Sequence, residues 1–144
     1  MTARVPPSTP ARVLVVEDSA DLRELVVGWL LKRGYDVDEA ADGRRAWERI
    51  RAFRPDVVLL DLGLPTVDGG RIASWLRLDR NRRAPAVVVL TGQLEPDAIQ
   101  AARDAGVDAV LFKPCDAEAI TSAIETQLAR LASQPAAGAD AARR

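Results

Sequence analysis

The chain has 144 residues, enough for one domain with a core of ordinary size, and its 20 basic and 21 acidic residues give a formal net charge of −1. This balance gives no global electrostatic reason to expect nucleic acid or an anionic membrane as a partner. There is no histidine, which removes the commonest general base and zinc ligand, and the single cysteine, Cys115, cannot form an internal disulfide.

Both ends of the chain have the composition of disordered tails. Residues 1–10 are proline-rich and lack the apolar segment of a secretion signal, while residues 133–144 mix alanine with proline and glycine. No apolar stretch of the sequence is long enough to span a bilayer. We therefore expect a cytoplasmic protein with one folded domain over residues 11–132.

Between the tails, short β-rich runs alternate with helical patterns five times, which predicts an α/β fold with helices on both faces of a parallel sheet. The first strand covers residues 12–18, and Ser19 caps a helix that Gly34 ends. The second strand covers residues 35–40, and its helix starts near Asp42-Gly43.

The third predicted strand, 56–61, is uniformly apolar between the aspartates at its two ends, and a helix is predicted over 69–78. The fourth strand covers 85–91, before a helix that starts at Pro96 and ends before Gly106; the fifth covers 109–113, before a helix capped by Asp116. Apolar residues at helical spacing predict the buried faces of three helices: Leu22, Leu25, Val26, Trp29 and Leu30; Ala46, Trp47, Ile50 and Phe53; Ile120, Ile124, Leu128 and Leu131.

Polar residues stand at the ends of four predicted strands. The carboxyl ends of parallel strands lie at the same edge of the sheet, and ligands bind at that edge. The residues predicted to lie there are Glu17, Asp18, Asp61, Thr91 and Lys113. Taken singly, each has an ordinary explanation as a loop acid, a strand threonine or a solvated lysine. Three converging carboxylates, however, repel each other by about 3 kcal/mol per pair at a separation of about 5 Å and an effective dielectric of about 20.

A cation is therefore expected among these carboxylates. Lys113 supplies one positive charge and leaves the cluster net negative, which suits Mg²⁺, an ion that takes oxygen ligands and commonly binds phosphate. Gly63, two residues after Asp61, could add its carbonyl oxygen. The residues alone thus predict a metal site suited to a phosphoryl group.

The sequence resembles the receiver domain of two-component response regulators, with the single-domain chemotaxis regulators as analogues of similar size. The separations of 43, 30 and 22 residues between the matching positions fit the family pattern, and the likeness covers residues 11 to about 131. It implies a (βα)5 doubly wound, flavodoxin-like three-layer sandwich with parallel strand order 2-1-3-4-5. The matching residues are Glu17-Asp18, the aspartate of DLGLP, Gly69, Thr91-Gly92 and Lys113-Pro114.

The resemblance implies a role for each site residue. Asp61 would accept phosphate as an acyl phosphate, while Lys113 and Thr91 would bind phosphoryl oxygens. A cis peptide bond is expected before Pro114, as in other receivers. The ligands of Mg²⁺ would come from Glu17, Asp18, Asp61 and Gly63.

The implied function is a stand-alone receiver, a regulatory phosphoacceptor rather than an enzyme, with self-catalysed phosphotransfer and autodephosphorylation. The phosphodonor would be a histidine kinase or a histidine phosphotransfer protein. A downstream protein would bind the surface formed by the helix from Pro96, the fifth strand and the helix after Asp116. No direct contact with nucleic acid or membrane is expected, because the basic run at 77–83 has acids nearby and no aromatic interleaving.

Two positions depart from the family pattern. Val110 stands where a tyrosine or phenylalanine is common, which puts the family's aromatic switch in question; Phe112, on the same face, could compensate, although ordinary packing is favoured. Cys115 stands where an aromatic residue is common, and a small buried filler is favoured over a redox sensor.

Three alternatives remain at this stage. One is a degenerate receiver that acts as a phosphorylation-independent binding module. Another is an aspartate-nucleophile phosphatase, which is disfavoured because Gly63 stands where its motif needs a second aspartate. The third is that the chain is a fragment of a longer regulator.

Overall fold

A computed structural model of the chain describes residues 9–63, 84–92 and 95–133. Its five strands form one parallel sheet in the order β2-β1-β3-β4-β5, which confirms the predicted fold class and strand order. The strands are β1 (Arg12–Val16), β2 (Asp36–Ala40), β3 (Val57–Leu60), β4 (Ala86–Thr91) and β5 (Ala109–Phe112). The described helices are α1 (Ala20–Lys32), α2 (Gly43–Phe53), α3 (Pro96–Asp104) and α4 (Ala117–Ala132).

Several predictions fall outside the described residues. These are the helix over 69–78 with Gly69, the basic run at 77–83, and nearly all of the two tails. The described part of the chain contains no helix long and apolar enough to cross a membrane.

The apolar composition of β1, β3 and β4 follows from their central position in the sheet. All residues of β3 and β4 are buried, and so is β1 after its first residue, because helices cover both faces of a parallel sheet. The edge strands β2 and β5 are only partly buried.

Alternate residues of each strand contribute to two separate cores, one on each side of the sheet. One core includes Leu14, Val16, Val58, Leu60 and Val89, packed with Ala46 and Ile50 of α2 and Ala102 of α3. The other core includes Val13, Val15, Val57, Leu59 and Val88, packed with Val26 and Leu30 of α1 and Ile120 and Ile124 of α4. The sheet between two helical layers is the predicted three-layer sandwich.

The helix caps predicted at Ser19 and Asp116 are confirmed, and Asp42, near which α2 was predicted to begin, caps that helix in the same way. The side chains of Ser19, Asp42 and Asp116 accept hydrogen bonds from backbone amides three residues on, at 3.3, 2.8 and 2.8 Å. Gly34, with φ of 91°, follows the end of α1 in the left-handed region that glycine adopts without strain. The prediction that Leu25 is buried is wrong: its side chain is 49% exposed, because it lies on the flank of the stripe formed by the buried positions of α1.

Candidate functional site

The predicted site residues lie at the carboxyl ends of the strands, just beyond the point where each strand stops. β1 pairs with β2 on one side and β3 on the other, so the strand order reverses there, which is where open parallel sheets bind their ligands. The amide of Glu17 donates to the carbonyl of Ala40 and the amide of Asp61 donates to the carbonyl of Val16, each at 3.1 Å. These bonds bring the end of β3 beside the acidic pair that follows β1.

The structure brings the three acidic residues together as predicted. Glu17, Asp18 and Asp61 each offer a carboxylate oxygen, and the three oxygens lie within 4.8 Å of one another. Glu17 and Asp61 are only 4% and 8% exposed, whereas Asp18 is exposed. The cluster is therefore anchored in the protein on one side and open to solvent at Asp18.

Lys113 reaches this cluster from the end of β5. Its Nζ donates a 2.5 Å hydrogen bond to Oε1 of Glu17 and lies 3.5 Å from Oδ2 of Asp61. Burial lowers the pKa of Lys113, but the hydrogen bond to Glu17 and the charge of Asp61 outweigh it, so the pKa lies above its ordinary value. Lys113 is therefore an ammonium at neutral pH. The Lys113-Pro114 peptide bond is cis, as expected.

The carboxylate of Glu17 is buried and held by two neighbours. Burial raises its pKa above the ordinary value, and the hydrogen bonds from Lys113 and from the amide of Ser19 offset only part of this effect. The Ser19 amide donates to Oε2 at 3.1 Å, so each oxygen of the Glu17 carboxylate accepts a hydrogen bond. These contacts fix the orientation of the carboxylate.

Thr91 and Gly63 also lie at this edge of the sheet. Thr91 ends β4, is fully buried, and accepts a 2.8 Å hydrogen bond at its carbonyl from the amide of Lys113. The amide of Gly63 donates to Oδ1 of Asp61 at 3.1 Å, which orients the carboxylate that follows β3.

One residue of the site was missed at the sequence level. Arg23, on α1, donates from Nη1 to the carbonyl of Glu17 at 2.8 Å and from Nε to Oε1 of Glu39 at 3.0 Å. Its only sequence signal is its place early in the helix that follows the acidic pair, which does not distinguish it from other helical arginines. Its contacts depend on β2 lying next to β1.

The two departures from the family pattern have different surroundings. Val110 is half-buried and packs against the core on the α2 and α3 side. Phe112, for which ordinary packing was favoured, is instead 42% exposed, because it is the last residue of an edge strand. Cys115 is half-buried and packs against the other core, as expected of a filler, and burial raises its pKa above the ordinary value.

The donor set fits a hard divalent cation. Three carboxylates converge, and among the described residues Lys113 is the cation that forms ion pairs with them. Its single positive charge leaves two negative charges uncompensated. Carboxylate oxygens are the ligands that Mg²⁺ prefers. Glu17, Asp18 and Asp61 could hold such an ion on the open side of the cluster.

Comparisons with known proteins agree with this geometry. The family model of the response regulator receiver domain matches residues 13–125. The chain is 37% identical over 124 residues to the transcriptional regulatory protein PdtaR of Mycobacterium tuberculosis (strain H37Rv), covering 85% of this chain and 59% of that protein. It is 32% identical over 125 residues to the DNA-binding response regulator MtrA of Mycobacterium leprae, covering 87% of this chain and 54% of that protein. The chain thus spans little more than half the length of these relatives.

Solved structures of response regulators and their receiver domains share the fold of this chain. The chemotaxis response regulator CheY4 of Vibrio cholerae superposes with a TM-score of 0.76 and 29% identity, covering 83% of this chain and 99% of that one. The signal receiver domain of the response regulator NarL from Mycobacterium tuberculosis gives a TM-score of 0.75 and 32% identity, covering 82% and 95%.

Proposed function

Because the chain belongs to the family of response regulator receiver domains, we propose that it is a phosphorylation-dependent switch with Asp61 as its phosphoacceptor. Receiver domains are regulatory phosphoacceptors of two-component signalling rather than enzymes of the usual kind. The donor is a phosphohistidine, which must be supplied by a histidine kinase or a histidine phosphotransfer protein because this chain has no histidine.

The observation that carries the proposal is the contact set of Asp61. A largely buried carboxylate lies 3.5 Å from the ammonium of Lys113 and within 4.8 Å of carboxylate oxygens of Glu17 and Asp18. A nucleophile, a cation for the phosphoryl oxygens and further oxygen ligands thus meet at one edge of the sheet. These are the groups that phosphoryl transfer requires, because a protein catalyses that reaction mainly by positioning the reactants and neutralising charge on the phosphoryl group.

The transfer itself is a substitution at phosphorus. An oxygen of Asp61 attacks as the P–N bond of the donor breaks, and the imidazole nitrogen leaves with the electron pair and takes up a proton. Lys113, held as an ammonium beside Asp61, compensates charge on a phosphoryl oxygen, and the Thr91 hydroxyl donates a hydrogen bond to another. Hydrolysis of the acyl phosphate by water ends the signal and regenerates the carboxylate.

Glu17, Asp18, Asp61 and the carbonyl of Gly63 are the proposed ligands of Mg²⁺, which would neutralise charge on the transferred group. The chain's own contribution is to hold these oxygens before the ion arrives. Glu17 is fixed by Lys113 and the Ser19 amide, and Asp61 by the Gly63 amide.

Incubation with acetyl phosphate and Mg²⁺, followed by intact-mass measurement, tests the proposal. The native protein should gain one phosphate-sized adduct that is lost at alkaline pH, as an acyl phosphate is, and Asp61→Asn should gain none. Asp56→Asn is a matched control, since Asp56 lies at the opposite end of β3 and accepts a hydrogen bond from the Arg12 amide. An adduct on Asp61→Asn, or none on the native protein, would contradict the assignment.

The output is a change in affinity for a downstream protein, through the surface formed by α3, β5 and α4. Such a switch needs two states that differ by a few kcal/mol and a phosphate that contacts them differently. The stand-alone action predicted from the sequence stays a prediction, because the match covers only 59% and 54% of the two relatives, which are described as transcriptional or DNA-binding regulators. The size of the protein detected in cell extract, compared with the 15.5 kDa of this chain, tests it.

A second candidate function is a phosphorylation-independent binding module. Val110 favours it, because a half-buried valine packed against the core cannot reproduce the inward and outward states of an aromatic ring. This candidate predicts that partner affinity is the same for the native protein with and without beryllofluoride, a mimic of the bound phosphoryl group.

A further inference from the structure

Arg23 connects the backbone of the acidic pair to two neighbouring elements. It belongs to α1, its side chain is 18% exposed, and its Nη1 donates a 2.8 Å hydrogen bond to the carbonyl of Glu17. Its Nε donates a 3.0 Å hydrogen bond to Oε1 of Glu39 in β2. One guanidinium therefore joins α1, the segment after β1 and β2.

The carbonyl that Arg23 holds belongs to the peptide between Glu17 and Asp18. A peptide unit is planar, so a fixed carbonyl also fixes the amide of Asp18 and restricts the direction in which this residue leaves the backbone. Glu17 is held through its own side chain by Lys113 and the Ser19 amide. Asp18 is the exposed acid of the cluster, so its placement depends more strongly on the backbone.

We propose that Arg23 is a positioning residue for the metal site, which fixes the Glu17–Asp18 peptide and thereby keeps the Asp18 carboxylate close to those of Glu17 and Asp61. The inference rests on the proposed magnesium-dependent function and adds a residue to it. Arg23 acts through the backbone and does not bind the ion itself.

The charge of Arg23 requires a second residue for this role. A guanidinium beside a cation site would by itself weaken cation binding by repulsion. Glu39 pairs with it, with Nε and Oε1 3.0 Å apart, so the two side chains together carry no net charge. The pair can therefore orient the peptide without repelling the ion.

The double variant Arg23→Met/Glu39→Gln tests the inference, because it removes the hydrogen bonds while leaving the net charge unchanged. Calorimetric titration with Mg²⁺ should show binding weakened by about 10-fold, the lower end of the range for residues that orient metal ligands. Arg23→Lys should lose less than the double variant, because an ammonium can still donate to the carbonyl but lacks the planar fork of a guanidinium.

The matched control is Arg49→Met/Asp38→Asn. Arg49 Nε lies 3.8 Å from Oδ2 of Asp38, so this pair also connects a helix to β2, but its contacts do not include the acidic cluster. The control should bind Mg²⁺ as the native protein does. Equal weakening in both double variants would show a general effect of loosening β2 and would overturn the inference.

Phosphorylation by acetyl phosphate provides a second readout. The Mg²⁺ concentration for half-maximal rate should rise about 10-fold in the Arg23→Met/Glu39→Gln variant, with the maximal rate at saturating Mg²⁺ preserved. A merely structural role would lower the urea midpoint without moving the Mg²⁺ dependence, and that result would overturn the inference. Failure of the native protein to bind Mg²⁺ or accept phosphate would instead overturn the proposed function, and this inference with it.

Discussion

Replacing Lys113 by methionine should lower the free energy of unfolding at neutral pH by about 3 kcal/mol, because it leaves buried carboxylates without their cation. Nζ lies 2.5 Å from Glu17 and 3.5 Å from Asp61, and the Glu17 side chain is only 6% exposed. In the native protein the ammonium offsets the repulsion between two carboxylate oxygens no more than 4.8 Å apart, about 3 kcal/mol at an effective dielectric of about 20, and the variant loses this offset.

The destabilisation should depend on pH with a defined sign. Burial already raises the pKa of Glu17, and the variant loses the Lys113 contacts that lower it, so this pKa rises further. A carboxyl whose pKa is raised in the folded state stabilises the fold below its unfolded pKa of 4.5, and this stability is lost as pH rises through the folded value. The deficit of the variant should therefore shrink as pH is lowered from neutrality towards 5.

At alkaline pH the native protein should lose the stabilisation that the Lys113 ammonium provides. The pKa of Lys113 is raised above its ordinary value of 10.5 in the folded state, so the stability that the ammonium provides is complete below that pH. The contribution is lost as pH rises through the folded value. The free energies of unfolding of the native protein and Lys113→Met should therefore converge there.

Urea unfolding in EDTA measures these effects, provided that the slope with denaturant is unchanged. The series comprises the native protein, Lys113→Met, Glu17→Gln and the double variant. Because the two side chains contact each other, the double variant should lose less than the sum of the single losses. A loss in Lys113→Met below about 0.5 kcal/mol, or one that does not vary with pH, would refute the electrostatic reasoning.

Three further predictions concern other parts of the described structure. Asp61→Asn should raise the free energy of unfolding in metal-free buffer by about 2 kcal/mol, because it removes the repulsions of Asp61 with Glu17 and Asp18, which together outweigh the lost attraction to Lys113. Melting curves with and without Mg²⁺ should show that added Mg²⁺ stabilises the variant less than the native protein. Alkylation of Cys115 by iodoacetamide should reach its half-maximal rate above pH 9, because burial raises the thiol pKa from 9.0; an inflection below pH 8 would contradict this. Asp108→Ala should lower the free energy of unfolding in urea by about 2 kcal/mol, because the buried Val87 amide loses its 2.7 Å acceptor. Arg130→Met removes only the partly exposed partner of Asp108 and should lower it by about 1 kcal/mol or less. Equal losses in the two variants would show that the ion pair, and not the Val87 hydrogen bond, carries the effect.

The helix caps and the strands were readable from sequence because their causes are local. Ser19, Asp42 and Asp116 cap helices through amides three residues away, and a buried strand is apolar whichever strand lies beside it. Leu25 and Phe112 could not be judged in this way. Leu25 lies on the flank of the apolar stripe of α1 and Phe112 ends an edge strand, so the exposure of each depends on how far the neighbouring elements extend over it.

The sequence by itself determined the βα alternation, the set of polar residues at the strand ends and the family they resemble, because these depend on periodicity and residue type. Only the tertiary structure decided which atoms of that set meet. Lys113 donates to Glu17 across 96 residues of chain, and Arg23 reaches Glu39 only because β2 lies beside β1. Such contacts depend on how strands are ordered and registered in space, and a one-dimensional pattern of side chains does not contain those distances.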